Sequence, residues 1–168
     1  MTETIFWYAL YVRSRHEFVA YDALRRKGIE TFLPSITRMK RWSDREKAVE
    51  FPLFPGYLFV RTASTAERQL EVLRTRGAVA LVSFDRPNPT PVADEEIDAL
   101  RKMVESGQPI DLYPGLRSGM PVRVVRGPLR GAYGILGEKE DQYTFLVNIE
   151  ILGRSVGVSI SADDFDKS

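Results

Sequence analysis

Apolar and polar positions alternate between strand-like and helix-like patterns in the first half of the chain. Residues 5–12 form an apolar, aromatic run of strand length, and the helical pattern that follows it ends at Gly28. Extended segments with a break around Gly56 come next. A second helical pattern ends at Gly77, before another strand over residues 79–84. This order predicts a split βαβ (ferredoxin-like) antiparallel sheet with flanking helices.

The starts of the predicted helices carry sequences typical of a capping box. Ser14 is followed by Glu17, and Ser64 by Glu67, with serine at the N-cap and glutamate three positions later. A third helix is predicted over residues 94–104 from apolar residues at helical spacing.

Between the two helical patterns, Pro34 interrupts a strand predicted over residues 29–38. Proline lacks a backbone donor, so this strand should lie at an edge or bend. The polar residues 39–47 predict a loop or the tip of a hairpin.

The second half of the chain has a different pattern. Residues 105–114 lose the periodicity and are predicted to be a linker. Four short strands are predicted after it, over residues 122–125, 134–137, 143–149 and 155–160, which indicates a small β-barrel. We therefore expect an α+β protein with an N-terminal domain at 1–104, a linker at 105–114 and a C-terminal barrel at 115–168.

Composition narrows the functional classes. There is no cysteine, which excludes disulfides and cysteine-ligated metal sites, and the net charge is only +1. No apolar run reaches the roughly 20 residues that span a bilayer. Thr2 and Glu3 lead directly into the first strand, without the pattern of an export signal. We expect a cytoplasmic protein that does not bind membranes.

An enzyme is not expected. His16 is the one histidine, and it has neither a cysteine nor a second histidine as partner. The glycines at 127–131 lack the lysine and the following helix of a phosphate-binding loop. We therefore predict no catalytic residues, no metal and no cofactor.

Aromatic residues are concentrated on the predicted strands. Side chains alternate along a strand, so Tyr57 and Phe59 lie on the same face of their strand. Likewise, Trp7 and Tyr11 lie on the same face of theirs. Both faces of the sheet are apolar. Either both faces are covered, or one is a docking surface.

Clustered arginines are a second candidate feature, since they could contact phosphates. Arg26 and Arg76 follow predicted helices, where the helix dipole alone favours cations. Arg13 lies between strand and helix, so the dipole does not explain it.

Two longer segments resemble a known family. Residues 51–60 (FPLFPGYLFV), with Trp7-Tyr8 before them and residues 75–79 after them, resemble the N-terminal signature of NusG/RfaH transcription factors. Residues 119–136 resemble the KOW motif, and residues 151–155 are similar to the final hairpin of that domain. The order of these segments matches the family across essentially the whole chain.

The resemblance implies a monomeric, non-enzymatic factor that binds the β′ clamp helices of RNA polymerase and suppresses pausing. It implies clamp contacts at Tyr11, Tyr57, Phe59 and Phe84, and contacts to the β gate loop at Arg68, Gln69 and Leu70. It also implies contacts to non-template DNA at Arg13, Arg26 and Arg76.

For the KOW domain, the resemblance implies binding to a small-subunit ribosomal protein or to the termination factor Rho. The corresponding loop is residues 128–133, with Leu129, Arg130 and Tyr133 as the contact residues.

Three functional interpretations remain. The form of residues 51–60 favours a specialised, RfaH-like antiterminator over a housekeeping factor that supports Rho termination and transcription–translation coupling. A split βαβ sheet with aromatics on its strands also resembles an RNA-recognition module, whose sheet aromatics stack on bases. Against this, Pro55 replaces the cation of that module's motif.

Overall fold

The structure is a computed structural model that describes residues 4–85 and 87–167. The chain forms two compact units, which meet in the sequence between Pro91 and Val92. Among the described residues, no helix is both long and apolar enough to cross a membrane.

The first unit confirms the predicted split βαβ arrangement. Its main sheet is antiparallel and has the order β2-β5-β1-β6, with β7 paired beside β1. The elements are β1 (Ile5–Val12), α1 (Glu17–Arg26), β2 (Glu30–Phe32), β3 (Ser35–Trp42), β4 (Arg45–Pro52), β5 (Tyr57–Ala63), α2 (Ala66–Leu73), β6 (Ala78–Leu81) and β7 (Pro91–Val92).

The core of this unit lies between the sheet and helices α1 and α2. Alternate residues of the two central strands, β1 and β5, point towards the helices, as the two-residue period of a strand requires. The buried cluster consists of Tyr8, Leu10, Val12, Leu58 and Val60 from the strands, with Ala20, Leu24 and Val72 from the helices. The helices therefore cover one face of the sheet.

Strand β2 lies at an edge of the sheet, as Pro34 predicted. The residues that follow agree with the hairpin alternative: β3 and β4 form a separate two-stranded ribbon that pairs through Trp42↔Arg45. Only Ser43 and Asp44 remain at the tip, and Ser43 has a positive φ of 51°. Residues 39–47 are therefore the tip of a hairpin, one of the two predicted alternatives, and are mostly strand and not loop.

Neither capping box forms as predicted. Helix α1 begins at Glu17 with His16 as N-cap, and the Glu17 carboxylate accepts a hydrogen bond from the Gly56 backbone instead of one at the helix start. In α2 the N-cap is Thr65 instead of Ser64, and its hydroxyl accepts a hydrogen bond from the Arg68 backbone at 3.3 Å. The predicted end of α1 is confirmed: Gly28 follows the C-cap with φ 78°.

The second unit has helix α3 and a six-stranded antiparallel sheet, and the sheet agrees with the predicted C-terminal β-structure. The sheet has the order β13-β9-β10-β11-β12-β8. The elements are α3 (Asp94–Glu105), β8 (Asp111–Tyr113), β9 (Met120–Val124), β10 (Tyr133–Lys139), β11 (Gln142–Ile149), β12 (Arg154–Ile160) and β13 (Phe165–Lys167), with short 3₁₀ turns at Glu150–Leu152 and Ala162–Asp164.

Two elements of this unit lie outside the predicted barrel boundaries. Helix α3 packs on β10 and β11, and its apolar residues Ile97, Leu100 and Met103 are buried. Strand β8, within the segment predicted as a linker, pairs with β12. An amphipathic stripe predicts that a helix packs, but it does not predict which sheet it packs on.

Glu96 of α3 is a titratable group in an unusual environment. Its carboxylate accepts a hydrogen bond from the Glu150 backbone N–H at 3.2 Å. Burial raises the pKa of Glu96 above its ordinary value, and the charges of Glu150 and Glu95 raise it further, while the hydrogen bond opposes the shift.

We expect Glu96→Gln to stabilise the protein at neutral pH. Because the folded state raises the pKa of Glu96, ionisation costs stability as pH rises above its unfolded value of 4.5. The glutamine carbonyl can still accept the Glu150 hydrogen bond. Thermal melts should show a higher Tm for the variant at pH 7 and converging Tm values at pH 4. A variant that is less stable at pH 7 would contradict this assignment.

Candidate docking surface

A tight turn joins three elements at one end of the first sheet. The Glu17 carboxylate of α1 accepts a hydrogen bond from the Gly56 backbone N–H at 2.9 Å, and the Gly56 carbonyl accepts one from Val12 at 2.8 Å. Gly56 has φ 88°, a conformation that favours glycine. The turn closes with a hydrogen bond from Tyr57 N–H to the Phe54 carbonyl at 3.0 Å. Tyr57 is thereby fixed at the start of β5.

Tyr57 lies directly across from Tyr11 on β1, and their ring centroids are 5.4 Å apart. The two rings begin an open groove of about 710 Å³ that extends over the edge strand β6 to helix α2. The groove is lined by Tyr11, Tyr57, Gln69, Leu73, Val79, Ala80, Leu81, Val82, Ser83, Pro87 and Pro89. None of these lining residues is charged.

Large apolar side chains are exposed in and beside the groove. Phe84 is 66% exposed, Val79 49% and Tyr11 43%. Leu73 of α2 is also exposed. Neighbouring exposed apolar side chains are typical of a binding surface. The structure thus places Tyr11 and Tyr57 in one surface with Gln69, and puts Phe84 in the segment that follows the edge strand.

Phe59 requires a correction, because it is fully buried. Its ring stacks on Phe32 of β2 at 6.2 Å and meets Phe54 edge-on at 6.4 Å. Phe59 is therefore a core residue and not a surface contact. The alternation of side chains along a strand correctly predicted that Tyr57 and Phe59 share a face. It could not show that rings from outside the strand cover Phe59 and leave Tyr57 at the groove.

The start of α2 holds the three residues predicted to contact the β gate loop. Arg68 is exposed and forms an ion pair with Glu71 at 3.1 Å. The Gln69 amide donates to the Ser64 carbonyl at 3.3 Å, and Leu70 is 45% exposed. Gln69 also lines the groove, so this helix end and the groove form one continuous surface.

The predicted DNA-binding arginines are not all together. The Arg13 backbone N–H donates to the Gly77 carbonyl at 2.9 Å, which brings Arg13 close to Arg76. Both side chains are exposed, as is that of Arg26. Arg26, however, lies at the far end of α1, about 15 Å along the helix from its start. Arg13 and Arg76 are therefore neighbours at the start of α1, while Arg26 lies at its other end.

In the second unit, one of the three predicted KOW contact residues is buried and two are exposed. Leu129 is only 3% exposed, so it is a core residue and is corrected from a contact residue. Arg130 is exposed beside Gly131, whose φ of 91° closes the turn. Tyr133 is 51% exposed, with the Arg123 guanidinium 5.7 Å from its ring centroid. The candidate surface here is therefore Arg130 and Tyr133.

Sequence reasoning missed much of the groove wall. Leu73 lies in the second predicted helix and Val79 in the strand predicted over residues 79–84, and the sequence pattern assigns no binding role to them or to Pro87 and Pro89. Val79 on a short edge strand was the one available signal. Within the described part of the chain, no group of three or more His, Asp or Glu residues could hold a metal ion.

Comparison with known proteins assigns the family. The family model described as "Transcription termination factor nusG" matches residues 6–101, which is more than half of the chain. The chain belongs to the NusG family. Its members are transcription termination and antitermination factors, in agreement with the predicted class of function.

Individual relatives agree with this family assignment. The NusG protein of Streptococcus pyogenes serotype M1 is 28% identical over 147 residues, which cover 80% of this chain and 81% of that protein. The NusG protein of Pseudomonas aeruginosa is 25% identical over 158 residues, which cover 93% and 89%. Both are named transcription termination/antitermination proteins.

A solved structure agrees in fold. The structure titled "Domain interaction in Thermotoga maritima NusG" aligns with a TM-score of 0.54 at 20% identity, covering 98% of this chain and 97% of that one. This similarity supports the two-part α+β architecture.

We expect Glu17→Ala to destabilise this NusG-family protein by about 1–3 kcal/mol, because the Gly56 N–H loses its buried acceptor. Glu17→Gln should cost less, since its carbonyl oxygen can still accept. Urea denaturation would measure both. Glu67→Ala is the matched control, an exposed glutamate in the first turn of α2. Equal losses for Glu17→Ala and Glu67→Ala would contradict the role of the buried hydrogen bond.

Proposed function

We propose that this protein binds RNA polymerase through the groove and acts during elongation to suppress pausing and termination. The observation that carries the proposal is the groove of about 710 Å³, whose described lining residues carry no charge, with exposed aromatic side chains in and beside it. Family membership supplies the transcription context. The partner surface is assigned, by the family resemblance, to the β′ clamp helices.

The chemistry of the groove supports a helical protein partner. Apolar side chains at helical spacing can fill an open apolar groove, and large aromatic anchors supply most of the energy in such interfaces. Phosphates would find no cation among the groove's described lining residues. The groove therefore favours a protein over a nucleic acid.

The same observations weaken the RNA-recognition interpretation. That mode of binding needs exposed rings on the central strands, where bases can stack. On β1 and β5, Trp7 is 6% exposed and Phe59 is fully buried. These two positions therefore offer no stacking platform, and the exposed ring of Tyr11 lies with Tyr57 at one end of the two strands.

Neighbouring surfaces extend the proposal. Arg68 and Leu70 at the start of α2 adjoin the groove through Gln69, so they can contact a second polymerase element, the β gate loop. We assign the proposed contact with non-template DNA to Arg13 and Arg76, since the hydrogen bond from Arg13 to Gly77 brings their backbones together. In the second unit, exposed Tyr133 is the proposed contact for a small-subunit ribosomal protein or Rho.

We expect Phe84→Ala to weaken binding to core RNA polymerase by about tenfold or more, as for an aromatic anchor of an interface. Tyr11→Ala should act in the same direction. Phe18→Ala is the matched control, since Phe18 lies on α1 outside the groove and is 37% exposed. Quantitative pull-down of the folded variants would measure the effect.

Two results of this pull-down would contradict the docking proposal. One is the absence of polymerase binding by the wild-type chain. The other is an equal loss of binding for Phe84→Ala and Phe18→Ala, which would separate the interaction from the groove.

The direction of the activity is tested by transcription in vitro through a Rho-dependent terminator. For the antiterminator favoured by residues 51–60, we expect added wild-type protein to increase read-through and shorten pauses. Phe84→Ala should lose both effects, because it removes the proposed polymerase contact. Increased termination in the presence of Rho would instead identify a housekeeping factor.

A further inference from the structure

The ribbon formed by β3 and β4 extends from the first unit and pairs with no other described strand. Each strand has eight residues, so the ribbon is about 27 Å long. Residues 37–48 are exposed on both faces. The distal ribbon therefore contributes little to the hydrophobic core, and its side chains are available to a partner.

Charge is separated between the two faces of this ribbon. Directly paired residues share a face, and alternate residues along each strand do likewise. By this register, one face carries Arg38, Lys40, Trp42, Arg45 and Lys47, with Ile36, Val49 and Phe51 towards the base. We call the first five residues the basic face. It holds four cations and no carboxylate.

The opposite face has the other sign. It carries Arg41 directly across from Glu46, and Glu50 further along the same strand. One cation and two carboxylates give this face a net charge of −1. The separation is therefore a property of the register and is not simply a consequence of a lysine-rich segment.

Stability of the ribbon does not explain the basic face. Lys40 lies directly across from Lys47, and like charges in that position are destabilising. Neither lysine forms an ion pair with any described residue. Charges on exposed strands do discourage aggregation, but cations and carboxylates distributed over both faces would serve that purpose equally. A polyanionic partner accounts for cations on a single face.

The tip of the basic face is ordered by an aromatic contact. The Lys40 ammonium lies 4.9 Å from the centroid of the Trp42 ring, and Trp42 is 59% exposed. The contact positions Lys40 among the other cations. A single ring offers a stacking site for one base at most, whereas four cations on two strands present an extended phosphate-binding surface.

We propose that the basic face of the β3–β4 ribbon binds double-stranded DNA through its phosphates. Two strands about 4.8 Å apart fit within a major groove about 12 Å wide, which is known to admit a two-stranded ribbon. Charge complementarity supplies the affinity. The binding does not depend on base sequence, because contacts from lysine and arginine side chains to phosphates carry no sequence information. This site is distinct from both the apolar groove and Arg13.

The test is fluorescence anisotropy of a labelled short DNA duplex with the full-length chain, in about 50 to 200 mM salt. We expect Lys40→Ala/Lys47→Ala to raise the Kd about tenfold and to reduce the salt dependence by about two released counterions. Lys40→Arg/Lys47→Arg should retain wild-type affinity.

The matched control is Arg41→Ala/Arg126→Ala. It removes the same charge, but Arg41 lies on the opposite face of the ribbon and exposed Arg126 lies in the second unit. Its Kd should change less than that of the lysine variant. Thermal melts should show that every variant is folded, because all the substituted side chains are exposed. In the lysine variant, the loss of the Lys40–Lys47 repulsion also does not weaken the ribbon.

Three outcomes would overturn the proposal: no duplex binding by the wild type, equal losses in the lysine variant and the control, or tighter binding to single-stranded DNA or RNA that Trp42→Ala abolishes. The last outcome would identify base stacking on an unpaired strand. No polymerase is present in this experiment, so its result is separate from the test of the groove.

Discussion

The first unit depends on the hydrogen bonds made by one glycine. Gly56 donates to the buried Glu17 carboxylate and accepts from Val12, so a single peptide segment joins the start of α1, the end of β1 and the start of β5. A carboxylate that accepts a backbone N–H forms one of the stronger hydrogen bonds in proteins. The position of Tyr57 opposite Tyr11 follows from this junction, and with it one end of the groove.

The first unit separates its surfaces by chemistry. The groove beside β6 is mainly apolar, with no charge among the lining residues that the structure describes, whereas the basic face of the ribbon has four cations and no carboxylate. An apolar groove and a cationic ribbon suit different partners, a protein and a nucleic acid. A factor in contact with both a polymerase and its template would need both kinds of surface. The two proposals are consistent with each other, although each has its own test.

The order of strands and helices could be predicted because local features determine it. Apolar runs mark β1 and β5, and Gly28 ends α1 because its positive φ suits glycine. The starts of the helices could not be predicted as well. Glu17 has the spacing of a capping residue, but a nonlocal partner, Gly56, takes its carboxylate. The sequence around Glu17 does not show that the distant Gly56 N–H, and not the start of the helix, binds its carboxylate.

The candidate site was predictable in part for related reasons. Tyr11 and Phe84 are exposed as predicted, whereas Phe59 and Leu129 are buried. An aromatic on an apolar strand face has the same sequence pattern in either case. Burial of Phe59 depends on Phe32 and Phe54, which reach it from other parts of the first unit. The tip of the ribbon was predicted as one of two alternatives, but the charge separation between its faces was not, because only the pairing register shows which residues share a face.

The packing of α3 has a practical consequence for work with fragments of the chain. A fragment cut at residue 104 would carry Ile97, Leu100 and Met103 away from β10 and β11, and would expose their apolar side chains to water. Exposed apolar helices promote self-association, so such a fragment would be prone to precipitate. The remaining C-terminal fragment would in turn lose the helix that covers those strands. A cut near Pro91 would keep the helix and its sheet together.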